Sequence, residues 1–181
     1  MPLDIGAGIL VSLFVSNLYG FDATPIFILL GVAFALLPDI DMLWYLLRKP
    51  ARHDHRVFTH YPLFYLPACF LIYIFLGPIY GTLFTLCVVM HLVHDTIGLG
   101  WGIAWLAPFS QRKFRFLSPT GSSTGGWEFF RTWIPKEEFE LVERQQDHAW
   151  VKHYYLRPNI IGFVEYGVLI TGLTALYVYF Y

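Results

Sequence analysis

The sequence predicts an all-α, polytopic membrane protein of about five transmembrane helices, with an aromatic loop and a surface helix on the cytoplasmic side. Three observations carry that expectation. Hydrophobic residues make up 56% of the 181 positions, the aromatic ones among them 19%, and charged residues only 14%. A soluble domain of this length cannot hide so much apolar side chain, whereas lipid as solvent removes the difficulty. The apolar residues are gathered into long runs, and all 12 Lys and Arg fall into two of the loops that join them.

The runs follow one another in order. A spanning helix needs about 20 mainly apolar residues. Segment one covers roughly Ile5 to Leu18 and is short for a span, which requires tilt, local bilayer thinning or re-entry. The opening Met1-Pro2-Leu3-Asp4 lacks the basic region of a cleavable signal, so this first run is expected to be retained. Segment two covers roughly Pro25 to Leu37 and can continue through Met42 to Leu47. Segments three, four and five cover roughly Pro62 to Leu76, Ile79 to Val93 and Ile160 to Tyr181. Cys69 and Cys87 lie inside apolar runs with no ligand spacing and read as small packing residues.

Charge sets the orientation. Arg48, Lys49, Arg52 and Arg56 lie between segments two and three. The remaining basic residues, from Arg112 to Arg157, lie between segments four and five. In a five-span path these loops share one side, which the positive-inside rule makes cytoplasmic. The N-terminus is then cytoplasmic and the C-terminus outside. The formal net charge of -1 says nothing about partners, and no nucleic-acid partner is expected.

The loop from about Gly98 to Arg157 is long enough to hold structure of its own. Phe114 to Leu117 and Trp127 to Trp133 flank a turn-rich Ser118-to-Gly126 stretch, a pattern that suits a hairpin or an irregular aromatic flap on the bilayer. Pro135-Lys136-Glu137-Glu138 reads as a helix start, with acids near the positive end of the helix dipole. Phe139, Val142, Ala149 and Trp150 would give that helix an apolar stripe against the membrane or core. With no internal repeat, residues 1–181 read as a single membrane-embedded domain, and residues 98–157 as a cytoplasmic insertion.

Three polar clusters bear chemistry. Leu37-Pro38-Asp39-Ile40-Asp41 ends segment two, and two carboxylates beside lipid are costly unless they are paired or coordinate a cation. Pro38 predicts a broken helix there, free to turn both carboxylates inward. His53-Asp54-His55-Arg56-Val57-Phe58-Thr59-His60 precedes segment three; imidazole is a common metal ligand, and a guanidinium such as Arg56 suits a phosphate oxygen. His53 fits an ordinary basic loop better than a ligand. His91-Leu92-Val93-His94-Asp95 closes segment four, and its helical spacing puts His91 and Asp95 on one face, with His94 one residue off it. The topology brings Asp39, Asp41, His55, His60, His91 and Asp95 to one membrane face. A mixed imidazole and carboxylate set favours zinc first, with manganese or iron as alternatives, and one or two ions.

The run LPDID, HRVFTH, HLVHD and WLAPFSQRKF, in that order between Leu37 and Phe114, resembles the YdjM-type family of inner-membrane metal-dependent hydrolases. That resemblance implies metal ligation by Asp39, Asp41, His55, His60, His91 and Asp95. It places Arg56 and Thr59 at positions that contact substrate or steady a ligand. By analogy with the zinc-dependent phospholipase C and single-strand nuclease enzymes, it implies phosphoester hydrolysis. This chain departs from the family pattern at two points. No His precedes His53, where many members carry one in the first helix, and Tyr61 stands where a small residue is usual.

The leading functional expectation is therefore a membrane-bound hydrolase of a phosphoester, such as a phospholipid or lipid-linked substrate. A metal-activated water would attack, with Arg56 steadying developing charge and Asp41 or His94 as general base. Two other classes compete. A metal or proton transporter would need ionisable groups continuing toward the opposite face, and Glu165 is the one other acid well inside a segment. A non-catalytic scaffold would use the metal to staple three helices through a closed ligand set.

Overall fold

The computed structural model describes residues 1–41, 58–98, 101–120, 126–135, 137, 138, 140 and 151–181. Helix dominates. α1 is Pro2–Tyr19, α2 Pro25–Leu36, α3 Pro62–Leu76, α4 Pro78–Thr96 and α5 Ile160–Phe180, and β1 (Lys113–Thr120) pairs antiparallel with β2 (Gly126–Trp133) in a hairpin. The fold is thus mainly helical rather than strictly all-α. The aromatic loop forms a ladder because its residues alternate about a turn-rich centre.

Among the described residues three helices, α1, α4 and α5, have the length and hydropathy to cross a membrane. α2 and α3 are apolar but shorter, at 12 and 15 residues. At about 1.5 Å per residue they reach less than the roughly 30 Å hydrocarbon core. The five apolar segments of the sequence are therefore all helices, while three of them satisfy the length of a span. The Met42-to-Leu47 continuation of segment two lies outside the described residues. So does the expected stripe Phe139, Val142, Ala149 and Trp150, although Pro135, Glu137 and Glu138 are helical and the Ile134 N–H donates to Glu138 Oε1 at 3.2 Å.

Contacts divide the chain into two compact units, and the division runs through α3 and α4. The first comprises Met1–Pro38, Tyr65–His91 and Arg157–Tyr181. Here α1 packs on both α2 and α5. In lipid there is no hydrophobic drive between helices, so close packing of small residues has to supply the association. A Cβ on Gly6 would lie 2.5 Å from the Val168 carbonyl oxygen, and one on Gly172 2.9 Å from the Gly6 oxygen. Gly8 approaches the Val32 backbone of α2 in the same way. Val15, Phe27, Ile28, Leu83 and Cys87 form the buried core of this unit. Helix ends are capped: Thr24 Oγ1 accepts from the Phe27 N–H at 3.3 Å, and Asn159 Oδ1 from the Gly162 N–H at 2.9 Å.

The second unit comprises Asp39–Phe64 and Leu92–Leu156. β1 pairs with β2 from Lys113 opposite Trp133 to Phe116 opposite Phe130. The hairpin is tied back to the chain that leaves α4. Gly98 N–H donates to Phe116 O at 2.8 Å, and Ile103 and Phe114 exchange backbone hydrogen bonds at 3.0 and 2.9 Å. Gly102 (φ +70°) sits where a side chain would run into the Phe114 carbonyl, so this close approach requires glycine. Trp133 is fully buried and donates from its indole to Trp101 O at 2.9 Å. Arg115 is buried within the hairpin, 3.5 Å from Glu128. Burial, and after it the neighbouring Arg131, lowers its pKa below the usual guanidinium range, while Glu128 opposes that shift.

Candidate metal centre

α4 delivers the first two groups. Its buried residues Leu83, Phe84, Cys87, Val88, His91, Leu92 and Asp95 recur at three- and four-residue steps, while Val89, Met90 and Val93 are exposed. His91 and Asp95 therefore continue the helix's own packing stripe, one turn apart on one continuous helix. Both are buried, at 2% and 6% exposure. Polar side chains on such a stripe are costly unless something compensates them.

The third group comes from the turn before α3. Pro62 starts that helix, and the preceding Phe58–His60 forms a single 3-10 turn that drives the His60 ring inward to 0% exposure. The fourth comes from the tightened turn after α2. Pro38 removes a backbone donor, and the chain runs as a 3-10 turn over Leu37–Asp39 before Ile40 and Asp41 return to helix. That turn brings the Asp39 carboxylate toward His60.

His60 is the hub. Its Nε2 lies 3.2 Å from Asp95 Oδ2 and 3.5 Å from Asp39 Oδ1. Its other nitrogen, Nδ1, lies 3.1 Å from Thr59 Oγ1 and 3.8 Å from Asp41 Oδ2. Nε2 thus faces the Asp39 and Asp95 carboxylates, and Nδ1 faces Thr59 and Asp41. Asp39, His60, His91 and Asp95 each offer one ligand atom, and these four atoms lie within 4.8 Å of one another. Two imidazoles and two carboxylates in that space match the donor set of a zinc, manganese or iron site. With both carboxylates ionised, a divalent cation also cancels the buried negative charge.

Of the six ligands expected from sequence, these four come together. Asp41 stands on the Nδ1 side of His60 rather than among them. His55 lies outside the described residues, as does Arg56. His94 is half-buried on α4, three residues beyond His91 and not one of the four. Sequence reasoning missed Asp4, whose Oδ1 lies 3.2 Å from His91 Nδ1. An acid in the first turn of an apolar helix was the available signal.

The fourth sequence motif also has a place. Trp105 Nε1 donates to Thr96 Oγ1 at 3.0 Å, and Tyr61 OH donates to Gln111 Oε1 at 2.8 Å. Tyr61, Ala104 and Ala107 are buried together. The segment from Trp105 to Gln111 therefore packs on the neighbours in sequence of His60 and Asp95. It braces the turn and the helix end that carry those ligands.

A family model described as YdjM inner membrane protein matches residues 4–180. The chain belongs to this family. Its members' description places it among inner membrane proteins, in keeping with the apolar helices above. Neither the curated proteins nor the solved structures gave a match. The YdjM match takes in every residue of the centre, from Asp4 on α1 to the end of α5, and extends the resemblance well beyond the four motifs between Leu37 and Phe114.

Proposed function

We propose that this YdjM-family protein is a membrane-bound, metal-dependent hydrolase of a phosphoester, with a phospholipid or lipid-linked phosphoester as substrate. The observation that carries the reading is the set of Asp39, His60, His91 and Asp95 with ligand atoms within 4.8 Å. Those four residues would hold the ion, zinc first and manganese or iron as alternatives. When bound, such an ion lowers the pKa of water and offsets negative charge that develops on a phosphoryl oxygen.

The chain's own residues would do the rest. Thr59 and Asp41, behind His60, fix the direction of its ring. Asp41, 20% exposed, stands on the Nδ1 side of His60 and not among the four ligand atoms, so its part is to steady the ring and not to serve as the base first expected of it. His94, half-buried one residue before Asp95, is the group we assign to accept a proton from the attacking water. Arg56 enters through the sequence motif, as the cation for a substrate phosphate oxygen. His55 enters in the same way, as a further ligand.

The same reading includes a multi-pass topology of five segments with the centre on the cytoplasmic side. What supports it is that Asp4 and Glu165 lie near the starts of α1 and α5, whereas His91 and Asp95 lie near the end of α4. Helices alternating in direction bring those ends to one face. Concentration of the ionisable groups at that face favours chemistry there over a conducting path.

The test is turnover by the purified chain in nanodiscs against a panel of phospholipids and soluble phosphoesters. Release of phosphate or headgroup is expected, with loss on chelation and return on adding Zn²⁺ or Mn²⁺. Asp39→Ala and His60→Ala should abolish it. A metal-reloaded protein that turns over nothing in the panel would exclude the hydrolase. Metal flux into sealed vesicles without turnover would favour a transporter instead.

A further inference from the structure

Asp4 lies outside the four sequence motifs between Leu37 and Phe114. It is 2% exposed in the first turn of α1, in a helix otherwise built of apolar and small residues. A carboxylate so placed is strongly disfavoured in lipid without a task. Its Oδ1 lies 3.2 Å from His91 Nδ1, with side chains on both sides of the contact essentially sealed from solvent at 1%. Its Oδ2 lies 2.9 Å from the Met1 amino nitrogen. Gly6, two residues on, meets the α5 backbone directly, and Gly8 meets that of α2, so the start of α1 is closely packed on both.

We propose that Asp4 is the positioning residue of the metal centre: paired with His91 at Nδ1, its carboxylate keeps the ring proton on that nitrogen and thereby presents the Nε2 lone pair to the ion. The proposal rests on the metal-centre reading given above. A neutral imidazole has one nitrogen that donates and one that accepts, and the hydrogen bond at one fixes the tautomer at the other. Carboxylate–histidine pairs are the usual way to orient a ligating ring and raise its basicity. The two histidines of the centre are then held by parallel means. His60 is steadied at Nδ1 by Thr59 and Asp41, and His91 at Nδ1 by Asp4. Asp4 itself is not one of the four ligands.

The test uses the full chain in nanodiscs, with Zn²⁺ affinity read by competition with a chromophoric chelator. Asp4→Ala should weaken binding by about 10–100-fold, the range for loss of a ligand's outer partner. Asp4→Glu should recover part of that loss. In the His91→Ala background, Asp4→Ala should cost less than twofold, because both substitutions act through one ring. Affinity within twofold of the native protein in a helical Asp4→Ala protein overturns the proposal, as do fully additive losses. A second readout needs no metal. With ¹⁵N-labelled histidine, the His91 ring should show the Nδ1–H tautomer in the native chain and lose it in Asp4→Ala. An unchanged or Nε2–H signal in the native chain overturns the proposal. A native chain that binds no Zn²⁺ yet shows the Asp4-dependent tautomer would overturn the metal-centre reading and leave the Asp4–His91 pairing standing.

Discussion

His60 Nε2 lies 3.2 Å from Asp95 Oδ2, although 34 positions of sequence separate the two residues. One side chain comes from a single 3-10 turn and the other from the last turn of a long helix. The pairing is therefore fixed by how α3 begins and how α4 ends. Both side chains are buried, at 0% and 6% exposure, so neither can exchange its partner for bulk water. A cation binding at this point would tie the two elements together.

That relationship gives the first prediction. His60→Ala and Asp95→Ala should each lower Zn²⁺ affinity by more than the roughly 10–100-fold that an outer partner contributes. Thr59→Val, which removes only the support at Nδ1, should fall inside that range. Chelator competition on the purified protein measures all three. Equal affinities for Thr59→Val and His60→Ala would count against the assignment of Nε2 to the ion.

A second prediction concerns α1. Because a Cβ on Gly6 would meet the Val168 carbonyl at 2.5 Å, Gly6→Val should force α1 and α5 apart. Overpacking of this kind costs about 1–3 kcal/mol. Thermal unfolding in detergent should show a lower Tm. Gly20→Ala, at a position with open space but φ +70°, should be milder, since only backbone conformation is strained.

The hairpin has its own anchor. Trp133 is fully buried, with its indole bonded to Trp101 O and its ring 5.7 Å from that of Trp101. Trp133→Ala should cost about 3–5 kcal/mol. The tryptophan part of the near-ultraviolet circular dichroism should fall while the helical signal persists. Retention of the aromatic signal would show that the hairpin is held by its ladder alone.

Sidedness can be tested with cysteines on a Cys69→Ser, Cys87→Ser background. Phe109 is 89% exposed in the turn before β1, and Tyr181 is 95% exposed. The five-segment topology predicts that Phe109→Cys is labelled from the cytoplasmic side and Tyr181→Cys from the opposite side. Labelling of both from one side would show that α5 does not cross the membrane and would exclude the five-segment topology.

The sequence alone determined the class of environment and the positions of all five apolar helices. Apolar run length is a local property, and in lipid each segment must satisfy its own backbone, so helix follows from the run itself. It also supplied Asp39, His60, His91 and Asp95 as candidate ligands, because Asp and His beside lipid are conspicuous by their cost. Pro38 predicted a broken helix, whereas the chain only tightens into a 3-10 turn over Leu37–Asp39 and returns to helix at Ile40. The tertiary structure alone decided how those groups are shared out. Asp41 and Asp95 are chemically identical in sequence, yet one stands behind His60 at Nδ1 and the other faces Nε2. Asp4 had no motif around it, and its place beside His91 is set by glycine contacts between α1 and its neighbours. Run length and composition are written residue by residue, whereas the partner of a buried carboxylate depends on helix packing between residues far apart in the chain.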